Sequence, residues 1–100
     1  MRKLIAASVI ALATGMSGGA FAEPVKVGLI TTLSGGGAGL GIDARDGLLL
    51  ALKNAGDAAS EIEVVTEDDG QKPELAVQIA DKMIQSDQVD ILTGIIWSNL

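Results

Sequence analysis

Three short apolar runs alternate with two helix-patterned stretches, and this alternation restricts the possible folds more than any other feature of the chain. Val25–Thr31 (VKVGLIT) has the length and β-branching of a buried strand. Glu61–Thr66 (EIEVVT) makes a second strand and Val89–Thr93 (VDILT) a third. After the first strand, Leu33–Gly41 (LSGGGAGLG) carries five glycines, too many for regular structure. A helix is expected from Ile42 to Ala55, with Asp43 complementing the positive end of its dipole and Gly56 as its stop.

The second helix has the clearest pattern. Pro73 suits its first position, where a missing N–H costs nothing. Leu75, Ile79 and Met83 recur every four residues with Ala76, Ala80 and Ile84 beside them, leaving Glu74, Gln78, Asp81, Lys82 and Gln85 mostly off that face. Strand-helix-strand-helix-strand implies parallel strands with right-handed crossovers, hence an α/β doubly wound sheet. The near-continuous apolar character of strands one and three predicts burial on both faces.

Residues 1–22 (MRKLIAASVIALATGMSGGAFA) have the pattern of a secretory signal peptide. Arg2 and Lys3 supply a positive start, Leu4 to Ala13 an apolar stretch too short to span a bilayer, and Ala20-Phe21-Ala22 a small-x-small cleavage site. Cleavage after Ala22 leaves a mature chain beginning at Glu23. That cut removes two of the seven basic residues and none of the thirteen acidic ones, so the formal charge moves from −6 to −8. An acidic surface without a basic cluster argues against nucleic acid and against anionic headgroups as partners. No second long apolar run is present to serve as a direct membrane anchor. With neither cysteine nor histidine in the sequence, disulfides, thiol chemistry, a lipidated N-terminal cysteine, the usual zinc sites and histidine triads are unavailable in these residues. The expectation is no cofactor, no metal and no catalytic set. A stop at Leu100, just after Ser98 and Asn99 begin what looks like a new helix, reads as an N-terminal piece of a longer protein or as a truncated gene product.

Ligands of doubly wound sheets bind beyond the carboxyl ends of the strands, where successive crossovers diverge. For a strand order of 2-1-3, that crevice lies between Thr32–Gly41 and Gly94–Asn99. The first loop is either a glycine-rich backbone open to close approach or only a flexible connection. Trp97, the only aromatic residue after the signal, either walls a ligand or fills a gap. Ser98 either contributes, with Asn99 and the N–H groups of a helix start, to holding an anion such as a carboxylate, or merely caps that helix. Glu67-Asp68-Asp69 lacks the spacing of a calcium loop and is expected to be a solvated turn. Gly39-Leu40-Gly41-Ile42-Asp43-Ala44 matches G-x-G-x-x-A ahead of a helix, and Glu67 ends strand two as a ribose-binding acid would. The first glycine of that match sits eight residues past Thr31 rather than in the tight turn after the strand, which counts against a dinucleotide fold. No Gly-Lys-Ser/Thr follows these glycines, so there is no P-loop.

Two long stretches resemble a known family. VKVGLITTLSGGGAGLGIDARDGLLLAL and EIEVVTEDDGQKPELAVQIADKMIQSDQVDILTGIIWSN are similar to the opening of periplasmic substrate-binding proteins of the branched-chain amino acid (Leu/Ile/Val-binding) type. Those chains run strand, "PLSG…A..G" loop and helix, then strand, "EDD…P..A", helix and "..VD.I.G…S". Thr32 stands where the family usually has proline. The resemblance implies that residues 23–100 form the first half of the N-terminal lobe of a two-lobed type I binding protein, working in the periplasm. It implies a non-enzymatic substrate-binding component of an ABC importer, which captures a small carboxylate-bearing ligand between two lobes and delivers it to an inner-membrane permease. A periplasmic sensor feeding a signalling receptor and a secreted α/β enzyme are the alternatives. By alignment, Leu40 falls where the family's first loop meets the ligand, and Ile96, Trp97, Ser98 and Asn99 fall where the second does. The Ser98 hydroxyl and neighbouring N–H groups would take the carboxylate. Amino-acid binders usually carry a small residue at the Trp97 position, and GIIWSN is closer to subfamily members associated with aromatic acids.

Overall fold

A computed structural model describes residues 23–100; the expected signal peptide and its cleavage site fall on residues outside that range. The elements run β1 (Val25–Thr31), α1 (Ala38–Ala55), a 3-10 turn (Gly56–Ala59), β2 (Ile62–Asp68), α2 (Pro73–Gln85) and β3 (Ile91–Gly94). Both pairings are parallel and the strand order is β2-β1-β3. Val25 lies opposite Ile62 and Thr31 opposite Asp68, while Val27 faces Ile91 and Ile30 faces Gly94. With β1 central, the first crossover leaves in one direction and the second returns past it.

Alternate side chains of a strand point to opposite faces, and β1 shows where each helix sits. The Thr31 hydroxyl donates to the carbonyl of Gly41 in α1 at 3.3 Å. Ile30, its neighbour, joins Ile79 and Met83 of α2 in the buried core, with Val65, Leu75, Ala80 and Val89 packed around them. The helices therefore cover opposite faces, as a doubly wound sheet requires. Met83 is completely buried and is the largest such side chain. Pro73 occupies the first turn of α2, and Ala76, Ile79 and Met83 form its inner face, whereas Ile84 is exposed.

Several local expectations are corrected. Helix α1 begins at Ala38, not Ile42, so Gly39 and Gly41 are helical. Tertiary contact overrides propensity here: a Cβ on Gly41 would lie 1.7 Å from the Thr32 carbonyl oxygen, so only glycine lets the helix pass that close to the end of β1. Asp43 consequently lies beyond the first turn, which holds no acidic residue. β3 begins at Ile91 because the backbone at Gln88 turns through a left-handed φ of 54°. Val89 and Asp90 serve instead as a lead-in, with Val89 N–H bonded to Met83 O at 3.0 Å and Asp90 N–H to Lys26 O at 2.8 Å.

Burial on both faces holds only for the C-terminal half of β1. All of β3 is exposed, because it is an edge strand and nothing among the described residues covers it. The acidic turn is not solvated throughout either: Asp69 is fully buried. Elsewhere charge binds element to element in a more ordinary way. Lys82 of α2 reaches Glu67 of β2 at 3.1 Å and Asp87 at 3.6 Å, and these carboxylates, Glu67 first, hold its ammonium above the ordinary 10.5.

Candidate ligand site

Parallel strands place all three carboxyl-end loops on one edge of the sheet. Backbone polar groups in such loops need partners once the elements pack, and the acidic residues ending β2 supply them. Asp68 Oδ1 accepts the N–H groups of Leu33 and Gly70, each at 2.8 Å. The Ser34 hydroxyl, and then the Leu33 N–H, hold the Asp68 carboxyl below its ordinary value of 3.8, outweighing partial burial. Asp69 Oδ1 accepts the Thr32 hydroxyl at 2.7 Å and the N–H of Gln71 at 2.9 Å. Asp69 Oδ2 is buried with no partner among the described residues. The β1–α1 loop is thus tied to the β2–α2 loop at its base.

Further out, Gln71 Oε1 accepts the N–H of Gly37 at 3.3 Å. Gly37 then meets the third loop. A Cβ at that position would lie 2.6 Å from Cζ2 of Trp97 and 2.8 Å from Nε2 of Gln71, so both side chains sit against the bare glycine backbone. The segments after β1 and β3 therefore converge at the switch point expected from the order 2-1-3.

Of the residues named from the sequence, Leu40 is 55% exposed in the first turn of α1. Ile96 and Trp97 are half-buried; Ser98 and Asn99 are exposed. Ser98 and Asn99 form a turn closed by Leu100 N–H on Trp97 O at 3.1 Å, so the new helix expected there is a single turn among the described residues. Trp97 Nε1 is shielded from solvent and has no acceptor among the described residues. What the structure brings together is Trp97 with the glycine loop. Two non-glycine residues with left-handed backbones border this junction, Gln71 at φ 61° and Ile95 at φ 63°. For β-branched Ile95 that conformation is a true outlier, of the kind that clusters at binding sites.

Gln71, Asp68 and Asp69 escaped sequence reasoning. Their signal was Asp68-Asp69-Gly70-Gln71, since Asp carboxylates accept N–H groups two residues on and so build turns. An apolar hollow of about 330 Å³ also opens between α2 and β3, lined by Ile30, Ala76, Ala80, Leu92, Ile95 and Leu100. It contains none of the five residues named from the sequence and lies along the uncovered side of the edge strand. The meeting of the loops, not this hollow, is the candidate site.

Residues 24–100 match the periplasmic binding protein family. A solved ABC transporter substrate-binding protein from Sphaerobacter thermophilus is similar over 77% of the chain, at 35% identity and a TM-score of 0.72. The match takes in 21% of that protein, so the chain spans about a fifth of its length. Comparison with curated proteins gives no match. The mixed α/β architecture with its parallel sheet corresponds to a fragment of the type I periplasmic binding protein fold, and the chain belongs to the periplasmic binding protein family.

Proposed function

We propose that the chain is the first half of the N-terminal lobe of a substrate-binding component of an ABC importer. It captures a small carboxylate-bearing ligand at the switch point, without catalysis, and delivers it to a membrane permease. The observation that carries this reading is Trp97 lying over Gly37, where the loops after β1 and β3 converge. Family membership and the similarity to a transporter substrate-binding protein support it. In this reading Leu40, Ile96, Trp97, Ser98 and Asn99 face the ligand. The Ser98 hydroxyl and nearby N–H groups take the carboxylate, and Trp97 forms a flat apolar wall. A large aromatic wall favours an aromatic acid over leucine or valine, because offset stacking adds about 0.5–1.5 kcal/mol beyond area burial.

Titration calorimetry of the full-length mature protein against benzoate, phenylacetate, leucine and valine tests the reading. An aromatic acid is expected to bind most tightly. Leucine binding above every aromatic acid removes the role given to Trp97, and binding of none of these carboxylates removes the carboxylate reading. Work in the periplasm requires export with cleavage after Ala22. Sequencing the N-terminus of protein from a periplasmic extract is expected to begin at Glu23, and an intact Met1 there contradicts export.

A further inference from the structure

The β2–α2 loop brings a third side chain to the place where the other two loops meet. Gln71 is exposed, yet its backbone holds a left-handed φ of 61°, a conformation uncommon for a residue other than glycine. It is supported by Asp69, whose buried carboxylate accepts the Gln71 N–H at 2.9 Å. This geometry aims the side chain back over the β1–α1 loop, where the Gly37 N–H donates to it at 3.3 Å. An N–H needs an oxygen opposite it, so the contact fixes which way round the amide stands. Nε2 then lies on the Trp97 side of Gly37, since one point near that glycine is 2.8 Å from Nε2 and 2.6 Å from the indole ring. The amide contributes two N–H donors beside an aromatic wall, at the mouth of the crevice.

We propose that Gln71 is a specificity-determining residue of the ligand site. Through Oε1 it holds Gly37, and so sets the seat of the Trp97 ring. Through Nε2 it presents a neutral donor to the polar group of a carboxylate-bearing ligand lying against that ring. The proposal rests on the reading that such a ligand lies between these loops, and adds a third loop to its walls.

The experiment uses the full-length mature protein, with benzoate and leucine as probes in titration calorimetry. It also measures acrylamide quenching of Trp97 without ligand, isolated by subtracting the signal of Trp97→Phe. Gln71→Gly accepts the left-handed backbone while deleting the amide. Gln71→Asn also tolerates that backbone but carries its amide one methylene short. Both are expected to bind benzoate about tenfold or more weakly, as for loss of a hydrogen bond to a charged group. Both are expected to quench more readily at Trp97, with thermal midpoints close to wild type. Gln71→Glu keeps an oxygen for the Gly37 N–H but puts a negative charge beside the ligand. It is expected to restore wild-type quenching and still lose benzoate binding. Wild-type benzoate affinity in Gln71→Gly overturns the proposal, whatever the quenching shows, and leaves the carboxylate reading standing. Wild-type protein that binds neither probe overturns that reading, and this proposal with it, on the wild type alone.

Discussion

Thr32 donates its hydroxyl to Asp69 at 2.7 Å, and both residues are completely shut off from solvent. The contact joins the end of β1 to the turn after β2 across 37 positions of sequence. A hydrogen bond to a buried charged group contributes about 1.5–3 kcal/mol, and orphaning the charge costs the most. Thr32→Val keeps the shape and removes the donor. It is expected to lower stability by about 1.5–3 kcal/mol in urea unfolding of the full-length protein, whereas Thr32→Ser stays within about 1 kcal/mol of wild type.

Asp68 makes the same junction sensitive to acid. Its carboxyl is held below 3.8 in the folded protein, chiefly by the Ser34 hydroxyl. A group whose folded value is depressed adds stability above its unfolded value and loses it as pH falls through the folded one. The contribution of Asp68 is therefore complete well above pH 3.8 and disappears on acidification below it. Thermal midpoints of wild type and Asp68→Asn are expected to differ at pH 7 and to converge as pH drops beneath that value. A constant gap across the range would show that the charge on Asp68 does not matter.

In the proposed function, Ser98 and Trp97 carry separate halves of ligand recognition. Ser98→Ala is expected to weaken binding of an aromatic acid by about 10- to 150-fold, the equivalent of about 1.5–3 kcal/mol. Trp97→Ala is expected to reduce affinity for aromatic acids more than affinity for leucine or valine. Calorimetry on the same ligands checks both. Unchanged binding by a folded Ser98→Ala protein would leave Ser98 as a turn residue.

Gly37, at the N-cap of α1, and Gly41, within its first turns, are expected to respond differently to the same added methyl. At Gly41 it meets the Thr32 backbone at 1.7 Å, and backbone does not yield cheaply. Gly41→Ala is expected to destabilise by at least the 1–3 kcal/mol (roughly) typical of overpacking. At Gly37 it meets two side-chain ends, on Trp97 and Gln71, which can move aside. Gly37→Ala is expected to leave the unfolding midpoint near wild type while shifting Trp97 emission. Equal destabilisation by both would count against the packing described for Gly37.

The parts legible in the sequence were those encoded by short-range pattern. The four-residue spacing of Leu75, Ile79 and Met83 announced α2, and the branched run at Val25–Thr31 announced β1; from their alternation followed the parallel sheet. The crevice between the loops after β1 and β3 was legible too, once the order 2-1-3 was assumed. Illegible were features set by partners far along the chain. Gly41 looked like loop because its close approach to the Thr32 carbonyl is a packing contact that leaves no periodic pattern, and nothing lies near a Cβ at Gly39 to explain the glycine there. Asp69 looked solvated because its partner, Thr32, lies 37 positions away, just past the end of β1. For Gln71 the Asp68-Asp69-Gly70-Gln71 run signals only the turn; the direction of its amide depends on Gly37, 34 residues away.

Placing β1 between β2 and β3 has a consequence for the order in which the molecule can assemble. The strand synthesised first is completed last: β1 gains one neighbour only after β2 exists and the other only after β3. The bond from Lys26 N–H to Asp90 closes a span of 64 residues, longer than the one that joins Thr32 to Asp69. Closing long loops spends entropy before contacts return it, so folding here is paced by encounters between distant segments. The crevice therefore matures late, and a ligand meets a finished wall only after the third strand has docked.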